Sequence, residues 1–173
     1  MTITAVLARL ADMLSVFPES ERPVVPAHLA DATPLAANEH PCFAHAARVW
    51  ELSGWEVDLL AFAAAQELDS VFVMIFQKIG PPTLELAMRL HGIEGTQQAF
   101  ARAALLPGAP LRRLGIIQVG PGGVLSLAEG LWARLAGLPE ARPRFPIAPV
   151  GPELASLHLH PRTRTQLSEA PPQ

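Results

Sequence analysis

Three stretches decide the fold: LSGWEVDLLAFAAAQELD at residues 52–69, PPTLELAMRL at 81–90 and APLRRLGIIQVGPGGVLSLAEG at 109–130, within a run from Leu52 to Gly137. Ser53-Gly-Trp-Glu56 fits a capping box, in which serine and glutamate satisfy the free backbone donors of a helix start. The helix it opens carries Val57, Leu60, Ala61, Ala64 and Leu68, with Leu59, Phe62 and Ala63 widening the apolar arc. Such a helix is buried on most sides and central to its domain. Asp69 or Ser70 caps the next helix, Val71–Ile79, which Gly80-Pro81-Pro82 ends. Thr83–His91 forms a further helix, stopped at Gly92.

Working outward, Phe43–Leu52 reads as a helix ahead of the central one. Thr96–Leu105 and Ala109–Leu114 follow the helix-turn-helix, and Leu131–Leu138 closes the run. Gly115–Val119 and Val124–Leu127 flank Gly120-Pro-Gly-Gly123, a loop rich in residues that permit positive φ, and read as a hairpin. Short helices, a helix-turn-helix and then a two-stranded hairpin give the expected fold class: mainly α, a winged helix with flanking proline-rich linkers.

The expected domain limits are 1–16 for an N-terminal amphipathic helix, 17–39 for a proline-rich linker, 40–138 for the winged helix and 139–173 for an extended tail. The first helix has Ile3, Val6, Leu7, Leu10, Met13 and Leu14 at helical spacing. Separated from the core by a linker, it either folds back or pairs with another chain; its length, about two heptads, makes a coiled coil marginal. Pro18, Pro23, Pro26, Pro34 and Pro41 restrict the linker to short helical turns, and Pro143, Pro146, Pro149 and Pro152 punctuate the tail.

Composition bounds the function. Of 173 residues, 50% are hydrophobic and 17% charged, with a net charge of -3, so general attraction to nucleic acid is not indicated. No apolar run reaches the roughly 20 residues that span a membrane. The N-terminus lacks a basic region and cleavage site, and the single Cys42 suits a reducing compartment, so the expected location is cytoplasmic. Lys78 is the one lysine among 13 basic side chains, and tyrosine is absent, a bias that reads as GC-rich bacterial codon usage.

The three stretches resemble, in order, the segment that precedes the ATPase module in a group of bacterial AAA+ proteins. LSGWEVDLLAFAAAQELD is similar to that group's LSxxExDLLLLxxAxELD, PTLELAMRL to its PTxxLALxLL, and LLPGAPLRRLGIIQV to its xxPxAPLRRxGLLxL; Asp69 and Pro110 fall on the motif. The likeness covers residues 40–137. It implies a winged-helix region that serves an AAA+ motor; such motors occur, among other places, with extracellular contractile injection systems. The motor itself is missing. A Walker A loop needs lysine after its second glycine to wrap phosphates, whereas Lys78 stands between Gln77 and Ile79. This chain is therefore not expected to be an enzyme or to hold a cofactor; ATP and Mg belong to it only through a downstream ATPase module.

Other chemistry is thin. His158 and His160 lack a third ligand, and His40, Cys42 and His45 read as a helix start with a partly buried thiol. Glu67 and Asp69 read as solvated carboxylates at a helix end, not as an acid–base pair. As a DNA reader, Thr83–His91 offers only Glu85, Arg89 and His91, and the wing has no basic residue. Arg112 and Arg113, and the tail from Arg162 to Arg164, are local basic spots. Protein binding fits better, with Met74, Phe76, Met88 and Leu90 as an adaptable apolar set. The expected partner-binding residues are Glu85, Arg89, Arg112 and Arg113, metal ligands none. The expected function is a non-catalytic recognition and adaptor domain, presenting a client or docking onto an assembly, with self-association through residues 3–16 possible and no membrane partner. The alternative is a winged-helix DNA-binding regulator.

Overall fold

The computed structural model describes residues 3–136. In chain order the elements are α1 (Ile3–Asp12), α2 (Ala27–Ala30), α3 (Pro41–Trp50), α4 (Gly54–Leu68), α5 (Val71–Ile79), α6 (Leu84–Leu90), α7 (Gln97–Ala103), α8 (Pro110–Arg113), β1 (Ile117–Val119), β2 (Leu125–Leu127) and α9 (Leu131–Leu135), with 3-10 turns at Met13–Val16, Ala37–Glu39 and Pro121–Gly123.

α4 is the hub. Val57, Leu59, Leu60 and the run Ala61–Ala65 are all buried, and the helix touches α1, α3, α5, α6, α9 and β2. Alanines let these neighbours approach closely, while Phe62 fills the space beside Phe76, the rings meeting edge to face at 5.4 Å. The capping box forms: the Ser53 backbone N–H and hydroxyl donate to Glu56 Oε2 at 2.9 and 2.8 Å, and the Glu56 N–H donates to Ser53 Oγ at 3.4 Å. Asp69 rather than Ser70 caps α5, its Oδ1 accepting from the Val71 N–H at 2.9 Å. The same carboxylate lies 2.8 Å from His28 Nε2, so Asp69 is engaged on both oxygens and is not a solvated helix-end charge.

The N-terminal helix folds back. Val6, Leu7, Leu10 and Leu14 are buried in the same core as α4, and the Leu35 N–H donates to the Ala5 carbonyl at 3.0 Å. The stripe that could have served self-association is thus covered within the chain. The proline-rich span between α1 and α3 is a strap, not a spacer. Phe17, Leu29 and Ala37 anchor it in the core, and Lys78 Nζ donates to the Arg22 carbonyl at 2.7 Å. Residues 3–39 therefore share one hydrophobic core with the helices beyond them, where the sequence reading set them apart.

β1 and β2 pair antiparallel, Ile117 opposite Leu127 and Val119 opposite Leu125. Ile117, Leu125 and Leu127 face the core. The turn needs left-handed backbone at Gly122 (φ 68°) and Gly123 (φ 77°), which glycine adopts without a Cβ penalty. An isolated bridge adjoins the two-stranded sheet: Thr83 pairs with Val124, and the Leu125 N–H donates to the Pro82 carbonyl at 2.7 Å.

That bridge reassigns the helix-turn-helix. Thr83 bridges to the hairpin directly ahead of α6, so α6 is the first helix of the pair, and the helix leading to the hairpin is α7 with α8. Sequence spacing had placed Thr83–His91 second, in the reading position. Among the described residues no single helix is long and apolar enough to cross a membrane; α4 and α5 pass by length and composition only as a pair bent by 114°. The expected tail at 139–173, with His158, His160 and Arg162–Arg164, lies outside the described residues.

Candidate protein-recognition face

The helix ahead of the wing is broken. Gln97–Ala103 is helical, Leu106-Pro107-Gly108 interrupts it, and Pro110 restarts the chain at the first position of α8, where its missing N–H costs nothing. α7 packs on its small side, with Ala101 and Ala104 buried. Phe100 lies about 100° around the helix from Ala101 and is 79% exposed. Leu106 and Leu114 are exposed nearby in sequence.

Beside Phe100 lies a groove of about 480 Å³, lined by Trp55 from the start of α4, Ile93, Ala104, Ala109 and Pro110. Trp55 is fixed: its Nε1–H donates to the Ala101 carbonyl at 3.0 Å, tying α4 to α7. Glu56 also borders the groove, but its Oε2 is already held by Ser53. The walls are therefore mainly apolar and preformed, with the exposed Gln97 a polar side chain left unengaged.

Against Trp55 sits a largely buried histidine. His91 meets the Trp55 ring edge to face at 5.2 Å, and its Nδ1 is 3.8 Å from Asp58 Oδ2, beyond hydrogen-bond distance. Its Nε2 is buried without a partner. Burial holds His91 below its ordinary pKa, with the Arg9 charge adding to the effect, and outweighs the pull of Asp58 in the other direction. Asp58 is raised by burial, against His91 and Arg9. His40, at the start of α3, is likewise lowered by burial and stands edge to face with Phe43 at 5.8 Å.

The four residues expected to bind a partner divide into two sets. Glu85 and Arg89 are exposed on α6, but Glu85 pairs with Arg102 of α7 at 3.2 Å. The Arg89 guanidinium lies 4.3 Å from the centre of the Phe17 ring, a cation–π contact to the strap. Arg112 and Arg113 lie on α8 and make no ion pair among the described residues. No hydrogen bond or ion pair joins the two sets. Of the apolar set expected to form a groove, Phe76, Met88 and Leu90 are core residues, and only Met74, 72% exposed, is available. The groove beside α7 involves Trp55 and Phe100, which sequence reasoning passed over. The signal was there: Ala101 and Ala104 define the buried side of a short helix, and Phe100 does not share it. No group of three or more His, Cys, Asp or Glu residues arranged to hold a metal occurs among the described residues.

A protein-family model described as "Winged helix domain, variant" matches residues 27–136. No curated protein and no solved structure matches the chain. The match covers most of the chain, and begins within the strap that the structure places in the core. Helix pair, Thr83 bridge and glycine-turned hairpin agree with it, and the chain belongs to this winged-helix family.

Proposed function

We propose that this chain is a non-catalytic protein-recognition module whose working face is the broken helix ahead of the wing. One observation carries the reading: a large aromatic, Phe100, stands exposed beside a preformed, mainly apolar groove. Charge points the same way. From α6 through β2 the cations are Arg89, Arg102, Arg112 and Arg113. The first is stacked on Phe17 and the second paired with Glu85. Two remaining arginines fall short of the roughly 6–10 phosphate contacts of a specific duplex binder.

The finer reading is an adaptor for an AAA+ ATPase, presenting a client or docking onto a contractile-injection-type assembly in the bacterial cytoplasm. Its support is the likeness of LSGWEVDLLAFAAAQELD, PTLELAMRL and LLPGAPLRRLGIIQV to the region preceding such motors. ATP and Mg would then act in the motor and not on this chain.

The test of recognition class is a fluorescence-anisotropy titration against a duplex of about 30 base pairs at low and moderate salt. Weak, unsaturated binding is expected throughout. Saturable binding with a steep salt slope would favour the DNA-binding regulator. The motor connection is tested by reading the native gene beyond codon 173 together with its neighbours. Walker A and B motifs in frame or beside it support the adaptor reading, and their absence from both removes it.

A further inference from the structure

We propose that the groove between α4, α7 and the start of α8 holds a peptide segment of a partner protein, with a bulky apolar side chain in the groove and acidic residues on Arg112 and Arg113. The inference rests on the protein-recognition reading and adds the chemistry of what is recognised.

The groove fits a side chain more than a polar metabolite. About 480 Å³ is at the lower end of small-ligand sites, and its strongest polar groups are already engaged in part: the Trp55 indole N–H on Ala101, and Glu56 Oε2 on Ser53. What remains is mainly aromatic and aliphatic surface from Trp55, Ile93, Ala104 and Pro110, with Phe100 and the Gln97 amide also in its lining. Because Trp55 is tethered, the wall exists before the ligand arrives and little ordering cost falls on binding. An exposed aromatic beside a fixed apolar cleft is the composition of an anchor site.

Specificity comes from the rim. Pro110 lines the groove, and one turn on Arg113 lies on the same side of the short helix, with Arg112 between the two in sequence. Neither meets an acid among the described residues. Arginine forks match carboxylates two bonds at a time, so acidic residues flanking the anchor complete the contact. The same charges argue against a second copy as occupant. A two-fold contact through this face places two arginine pairs in one interface.

The experiment uses the full chain, immobilised and panned against random dodecapeptides displayed on phage; enriched peptides are then synthesised with a fluorescent label. The expected consensus is one Phe, Trp or Leu flanked by Asp or Glu, with affinity that weakens as salt rises. Phe100→Ser is expected to weaken binding about tenfold or more, as is Arg112→Glu combined with Arg113→Glu. Phe100 and Arg113 are exposed, so the melting temperature stays close to wild type. A peptide whose acids are replaced by Lys should regain affinity for the double variant, a rescue that a damaged fold cannot produce. Peptides without acids, or binding that neither substitution touches, overturn the site while leaving protein recognition standing. No enriched peptide overturns the proposal, and combined with saturable duplex binding it overturns the recognition reading as well. A dimer that Phe100→Ser dissociates assigns the groove to a second copy and also overturns the proposal.

Discussion

Replacing Leu7 by Ala tests whether the N-terminal helix is part of the fold. Leu7 is 2% exposed on a helix packed against α2 and α4. The change removes about three methylene equivalents, or about 2.4 kcal/mol of transfer free energy. Rigid neighbours such as Leu10 and Leu14 cannot fully collapse onto the vacated space, so a cavity contribution brings the loss to about 3–4 kcal/mol. With a urea slope of about 2 kcal/mol per molar, the unfolding midpoint falls by about 1.5–2 M. The assay is equilibrium urea unfolding followed by circular dichroism at two protein concentrations tenfold apart. Val16→Ser, at an exposed site after the same helix, serves as control and shifts stability by less than about 0.5 kcal/mol. A loss below about 1 kcal/mol for Leu7→Ala would refute the reasoning. So would a midpoint that rises with protein concentration, the signature of a helix buried between chains.

Other outcomes follow from particular contacts. Ser53→Ala removes the hydroxyl's two bonds in the capping box on the central helix, leaving the backbone N–H of residue 53 on Glu56, and lowers stability by about 1 kcal/mol, read by the same unfolding curve; no change would mean that the hydroxyl contributes nothing net. Glu51 ends α3 with φ 55°, and Glu51→Asn, which tolerates that region better, raises stability by a few tenths to about 1 kcal/mol; a loss would show that the left-handed turn is not strained. His40 and His91 have folded pKa values below 6.5, so the unfolded chain takes protons first as pH falls. Their stabilising contribution is fully present above 6.5 and is lost as pH drops through that value toward the folded ones. Asp58, raised above 3.8, acts in the opposite sense and only at lower pH. The melting temperature therefore falls between about pH 7.5 and about pH 5.5, and His91→Gln flattens the fall; a pH-independent melting curve over that interval contradicts the burial of both rings.

Local chemistry made the element order legible. Ser53 and Glu56 announced α4, Gly80-Pro81-Pro82 and Gly92 bounded its successors, and Gly120–Gly123 marked the hairpin, all within a few residues of the observed limits. What covers an apolar stripe is not a local property. The spacing of Val6, Leu7 and Leu10 states that α1 must be buried, yet the choice between its own core and another chain depends on α2 and α4. The strap was hidden for a similar reason. Prolines set its extended backbone, while its anchors Phe17, Leu29 and Ala37 are too widely spaced to form a period. Thr83 contributes a single bridging residue, too short for any pattern, and reading Thr83–His91 as the second helix of the pair moved the helix-turn-helix back by one helix. The same shift assigned Met88 and Leu90 to a surface, although both are core. Glu85, Arg89, Arg112 and Arg113 were found as charges, but pairing across elements separates them. Arg102 and Phe17 occupy the first two, and the second two follow Pro110 in α8.

The central claim is that the face ahead of the wing meets protein. The direct measurement places a photoreactive p-benzoylphenylalanine at position 100 and irradiates cells of the native host. Phe100 is exposed, so the larger ring replaces it without disturbing the core. The account predicts an adduct that protease removes and nuclease leaves intact, and that Arg112→Glu with Arg113→Glu depletes. A nuclease-sensitive adduct at position 100 would contradict the claim and make this winged helix a reader of nucleic acid.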